Sequence, residues 1–450
     1  MTALLRLGYA ELRAGLTVWL GVLAVSATAG LATGLAVSPV VTATDTPGVA
    51  ALALYGLSGT TLAFTAVAVG ITVASVAELT LALLRRRLAL WLLAGVTPAQ
   101  TSAVALGQLV VVALVGAAAG AGLAVVAAPW LVGLAIADVA GLAGVRVHLG
   151  EVGAAVAAAA VLVLATISAV RPARRAGRIV GADPRRDAGT ERTAMGKGRW
   201  ALAIATVAAL AAVAVGARGA DDPETAVLLV APLAATALVA LAPTFAADGV
   251  RRWTGLVARQ PAATWLLARA QTGELLRRSS GPLGPLVTVV ALGGGIPAAH
   301  VAAGEAAGSR QPDASGASGL LLLLALPLFV TLVGSATTVV MSDRERTTDA
   351  AVALSVGATR AQVVTAGLAH VLIVVVSATA VGLLAVAATC AAAAWTFGPG
   401  SAVAGAPTAL ASVGVAAALC AVVQAAALLP AVARATRQRR HDDAPPPPQG

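Results

Sequence analysis

Charge is what this 450-residue chain has least of. Asp, Glu, Lys and Arg together make up 11% of it, against about a quarter in soluble globular proteins. With 59% hydrophobic residues and a mean hydropathy of +0.90, an ordinary water-soluble domain is excluded. Only two cysteines are present, Cys390 and Cys420, and both fall inside apolar runs, so no disulfide framework is expected. The four histidines and two cysteines show no spacing suited to a metal site. A nucleotide loop is missing too: the nearest stretch, "GTERTAMGKGRW" at 189–200, lacks the four-residue glycine spacing and the Ser or Thr after Lys197. With neither paired carboxylates nor a Ser/His/Asp set, the chain does not read as an enzyme.

What is there is apolar and long. Runs able to cross a bilayer, about 20 residues each, recur at 14–37, 51–83, 102–128, 152–170, 200–217, 226–247, 283–303, 318–341, 363–388 and 408–430. The expectation is an all-α integral membrane protein of ten transmembrane helices. The first run follows Arg6 and Arg13 but exceeds a signal-peptide core, so it reads as a retained helix. With the N-terminus inside, only Arg146, Arg218 and Arg310 of the 30 Lys and Arg fall in outward loops, which puts both termini in the cytoplasm. The net charge of +10 then reflects topology and anionic lipid contact, not nucleic acid.

The chain also repeats itself. Aligning Gly95 with Gly357 brings Thr97 onto Thr359, Gln100 onto Gln362 and Gly120 onto Gly382, a constant offset of 262 residues. Each copy has a lead helix, a second helix ending in charge (Arg85–Arg87; Asp343–Arg346), a Gly-x-Thr loop, a third helix closed by Trp130 or Trp395, and a fourth ending in Pro-Ala (Pro172, Pro430). The arrangement is 4+2+4: a first unit at 1–187, a central two-helix hairpin with linkers at 188–261, a second unit at 262–440, and a tail at 441–450. Six crossings separate equivalent points, so the copies are parallel repeats related by an axis along the membrane normal. The segment "TWLLARAQTGELLRR" (264–278) reads as a helix lying in the interface, and residues 3–13 resemble it. "HDDAPPPPQG" (441–450) reads as an extended tail.

Read from the residues alone, each repeated loop is either a tight connection between membrane helices or a short helix start presented to a soluble partner. Thr at the N-cap and Pro at the first helical position suit both. The seventh span carries Gly293, Gly294, Gly295 and Pro297, unfavourable in a helix interior and consistent with either a static kink or a hinge.

The stretches "RRRLALWLLAGVTPAQTSAVALGQ" (85–108) and "RERTTDAAVALSVGATRAQVVTAGLAH" (344–370), closed by "RPARRAGR" (171–178) and "LLPAVARATR" (428–437), resemble the FtsX-like, MacB-type permease family of ABC transporters. The resemblance covers both four-helix copies. It implies a bacterial-type plasma-membrane permease whose loops dock a separate ABC ATPase, two copies per chain, with ATP and Mg bound by that partner and no cofactor in this chain. By resemblance Gly95, Val96, Thr97, Pro98 and Gln100 form one docking loop, and Gly357, Ala358, Thr359, Arg360 and Gln362 the other.

The sequence departs from the family in three places. Gln108 and His370 stand where a Glu is common, Pro98 replaces a loop Arg, and the outward stretches 38–50 and 304–317 have no room for the large domain many relatives insert. His370 is costly inside a span unless hydrogen-bonded, either to another helix or in a proton-linked or substrate role. The expected function is export of a hydrophobic or amphipathic substrate. The alternatives are a signalling module coupled to an ATPase and sensor kinase, and an ion-driven secondary transporter.

Overall fold

The computed structural model describes residues 16–137, 142, 144–176, 195–220, 222–257, 262–278, 281, 283–308, 314–341 and 343–442. Ten of its helices are long and apolar enough to cross a membrane, and there is no strand among the described residues. The protein is a multi-pass helical membrane protein.

The first copy consists of α1 (Leu16–Thr44), α2 (Val49–Leu93), α3 (Pro98–Ile136) and α4 (Gly150–Ala176). A central hairpin follows, α5 (Lys197–Gly216) and α6 (Pro223–Val257), then a shorter helix, α7 (Ala263–Arg278). The second copy is α8 (Leu283–Ala306), α9 (Ala314–Met341), its continuation α10 (Asp343–Ser355), α11 (Arg360–Phe397) and α12 (Pro399–Asp442). All ten expected runs lie on these helices. Most helices extend past the apolar run, because caps and turn glycines rather than hydropathy set their ends. Asp222 caps α6 by accepting the Thr225 N–H at 3.2 Å, and Gly398 (φ +100°) ends α11. At the chain end, α12 carries through His441 and Asp442, the first residues of the tail expected to be extended. Residues 443–450, 177–194 and the 3–13 segment lie outside the described residues.

Both copies pack alike. In each, the lead helix lies against the second, third and fourth helices, and the fourth against the second and third. Small residues make the closest approach possible in the first copy. Gly30 and Gly34 of α1 lie against Ala117, Ala121 and Ala124 of α3, and Gly116 and Gly120 of α3 lie against Leu23, Ala27 and Leu31 of α1, a Gly-x-x-x-Gly pair on each side. A Cβ at Gly116 would lie 2.7 Å from the Leu23 carbonyl oxygen, and one at Gly120 would run into that of Ala27. Without side chains there the two backbones touch.

The halves are interlocked as well as adjacent. α9 contributes Leu326, Val330 and Met341 to the core of the first copy. In return α2 places Phe64 among Leu292 and Ile296 of α8 and Leu228 of α6. Thr72 of α2 packs on Gly334 of α9, and 334 is 72 plus the repeat offset of 262. Equivalent positions therefore meet, which is what a contact on a local two-fold axis must do.

The central hairpin belongs to one side. α6 packs on α8 and α11, α7 on α11 and α6, and α5 chiefly on α6. Arg218, at the turn between α5 and α6, donates its Nε–H to the Trp395 carbonyl at 2.6 Å and stacks 3.7 Å over that indole. These contacts brace α11.

Candidate functional site

The repeated loops fold identically. α2 ends with the Gly95 N–H donating to Leu92 O (3.1 Å) and the Val96 N–H to Trp91 O (3.0 Å), the paired bonds of a Schellman turn. In the second copy Gly357 N–H donates to Leu354 O (3.2 Å) and Ala358 N–H to Ala353 O (3.0 Å). Both glycines take positive φ, +89° and +100°, where a Cβ would strain the backbone. The chain then re-enters a helix at once. Thr97 Oγ1 accepts from Gln100 N–H (3.4 Å) while Gln100 Oε1 accepts from Thr97 N–H (3.1 Å); the same reciprocal bonds join Thr359 and Gln362 at 3.2 and 2.8 Å. This capping box explains why Gln recurs three residues after Thr.

Exposure matches position by position. Gly95, Thr97, Pro98 and Gln100 are exposed and Val96 half-buried; Gly357, Thr359, Arg360 and Gln362 are exposed and Ala358 half-buried. α2 is apolar as far as Leu84 and runs on to Leu93, so nine further residues carry the loop about 14 Å beyond the apolar segment. The result is an exposed knuckle at the end of α2. Both knuckles lie on one side, because six crossings separate them.

Behind each knuckle is a buried polar residue, Gln108 (6% exposed) in α3 and His370 (7%) in α11. His370 Nδ1 lies 2.8 Å from Thr272 Oγ1 of α7, and Thr272 Oγ1 donates to Ala268 O at 2.8 Å. If the hydroxyl proton goes to Ala268 O, the imidazole Nδ1–H is the donor to Thr272 Oγ1. Trp253 of α6 adds a bond from its Nε1–H to Ser377 Oγ of α11 at 3.1 Å and meets Trp265 of α7 edge-on, ring centroids 6.4 Å apart. His370 thus ties α7 to the helix behind the second knuckle. Thr272→Val should cost about 1 kcal/mol in thermal or denaturant unfolding. An unchanged unfolding midpoint in that variant would show that the bond does not hold α7 to α11.

α8 runs unbroken through Gly293–Pro297 and is buried along most of its length. Each glycine faces a neighbour: Gly293 lies against Ala416 of α12, Gly294 against Val413 and Val386, and Gly295 against Ala231 of α6 and Thr389 of α11. The run lets three helices close on α8.

Two features escaped the sequence reading. Glu224 of α6 and His300 of α8 pair at 2.9 Å, although His300 reads from sequence as isolated. The other is a row of hydroxyls on α2. Thr61, Ser75 and Thr80 donate to their own helix's carbonyls four residues back, whereas Ser58, Thr65 and Thr72 have no hydrogen-bond partner and are 0%, 1% and 0% exposed. A buried hydroxyl left unpaired costs about 1–3 kcal/mol. Their spacing of seven residues, two helical turns, was the available signal, but it is silent about which hydroxyls bond backwards.

Comparison of the chain with family models, with curated proteins and with solved structures returns no match.

Proposed function

We propose that this chain is the permease subunit of an ABC transporter, exporting a hydrophobic or amphipathic substrate under the drive of two separate ATPase subunits docked on the knuckles at 94–97 and 356–359. The observation that carries the reading is the pair of exposed loops built to one plan on one side of the bundle: Schellman turn, positive-φ glycine, capping box. The loop is reproduced bond for bond 262 residues later. Two copies of one partner would need that reproduction. The interlocked cores at α2 and α9 supply the route by which closure of two partners could move both halves, since a partner shifts a conformational equilibrium by its difference in affinity for the two states.

The loops are alike in backbone and unequal in side chain. Arg360 can donate charge-assisted bonds, worth about 1.5–3 kcal/mol each, where Pro98 offers none. With candidate ABC ATPases co-expressed from the same genome, Arg360→Ala should lower co-purification about tenfold or more and uncouple hydrolysis from transport, with Pro98→Ala milder. Gly95→Ala should also impair coupling, through backbone strain of about 1–2 kcal/mol at the knuckle. Wild-type association and coupled hydrolysis in both Arg360→Ala and Gly95→Ala would overturn the docking assignment. Transport persisting without any ATPase would favour an ion-driven carrier.

A further inference from the structure

The hydroxyl row on α2 lies on the line where the two halves meet. Thr72 fixes its direction, because its side chain, Cγ2 foremost, packs against Gly334 on α9. Ser58 and Thr65 share that face, being 14 and 7 residues earlier on an unbroken helix. The row is about 21 Å long. Thr61, Ser75 and Thr80, elsewhere around the helix, turn their hydroxyls back onto α2. These three do not, although the carbonyl four residues earlier is available to any helical Ser or Thr. Neither α2 before Glu78 nor α9 carries an Asp, Glu, Lys or Arg, so nothing along the seam is matched to a charged group.

We propose that the face of α2 bearing Ser58, Thr65 and Thr72 is an intramembrane binding site for a neutral amphiphile rich in ester or amide carbonyls, engaged when α2 and α9 part. The three hydroxyl protons are donors awaiting acceptors. Acceptors spaced along an extended polar backbone fit a row with steps of about 10.5 Å, and the buried apolar side chains of the same two helices, Phe64 of α2 and Leu326 and Val330 of α9, suit the hydrocarbon part. A carboxylate or phosphate headgroup would enter the same seam without a countercharge, at high cost in a low-dielectric setting. The site rests on the seam between the halves and not on ATPase docking, so the two readings fail separately.

The test uses the full chain in phosphatidylcholine nanodiscs with a diazirine-bearing monoacylglycerol as probe, the label being mapped by peptide. Controls are an alkyl diazirine of equal chain length without the ester, and the corresponding fatty acid. The ester probe should label α2 and α9 peptides at least fivefold more than either control, with competition by unlabelled monoacylglycerol. The pair Thr65→Val and Thr72→Val, which keeps shape and removes the donors, should lose that excess; Thr65→Ser with Thr72→Ser should keep it. A thermal midpoint in the valine pair at or above wild type shows that the loss is not misfolding. If the pair fails to fold, the wild-type competition experiment decides by itself. Equal labelling by ester and alkyl probes, unchanged labelling in the valine pair, or no label on α2 or α9 would each overturn the proposal.

Discussion

Gly120→Ala should be among the most damaging single-methyl changes in the chain, lowering stability by about 3 kcal/mol, at the upper end for overpacking. A Cβ at this position meets the carbonyl oxygen of Ala27, with the Leu31 nitrogen 2.8 Å away. Backbone cannot swing aside as a side-chain tip can. The only relief is to move α1 away from α3, which opens the Gly30/Gly34 and Gly116 contacts along the same crossing. Gly122, two residues on, supplies the control, since nothing lies within 4 Å of a Cβ there. In an exposed helix position alanine is if anything favoured over glycine. Thermal unfolding in detergent should therefore show Gly120→Ala strongly lowered and Gly122→Ala unchanged or slightly raised. Equal midpoints for the two would mean that α1 and α3 do not touch as described.

Gly334→Ala should be nearly as damaging, and its cost should depend on Thr72. A Cβ at 334 collides with the Thr72 Cγ2 methyl, so the expected loss is about 1–3 kcal/mol and falls on the joint between the halves. Thr72→Ala removes the colliding methyl. The double variant should then recover about 1–2 kcal/mol relative to Gly334→Ala alone, a coupling energy typical of residues in contact. Simple additivity of the two changes in denaturant unfolding would show that α2 and α9 do not cross at equivalent positions.

The repeated loops were legible early because their chemistry is local. Thr97 and Gln100, or Thr359 and Gln362, need only three residues of separation to form a capping box, and a glycine before them needs no distant partner to adopt positive φ. The helix count was legible for a similar reason: lipid demands apolar side chains over a fixed length, whatever the neighbours. Helix ends were less so, since α2 passes through Arg85–Arg87 and continues to Leu93, where hydropathy alone would stop it. The partner of His370 and the pairing of His300 with Glu224 were not legible, because those contacts span 98 and 76 residues.

Taken by itself, the sequence determined the ten apolar helices, the two-fold repetition and the turn chemistry at Gly95 and Gly357, all of which depend on residues within a turn or two or on the solvent a segment must match. Only the tertiary structure decided which neighbours the glycines of α8 meet, that α9 enters the first core while Phe64 enters the second, and that on α2 Ser58, Thr65 and Thr72 are left without hydrogen-bond partners. In a chain this uniformly apolar nearly every helix face is greasy enough to be buried, so hydropathy does not say which faces meet. The choice falls to shape, to where a missing Cβ lets backbones close and a methyl holds them apart.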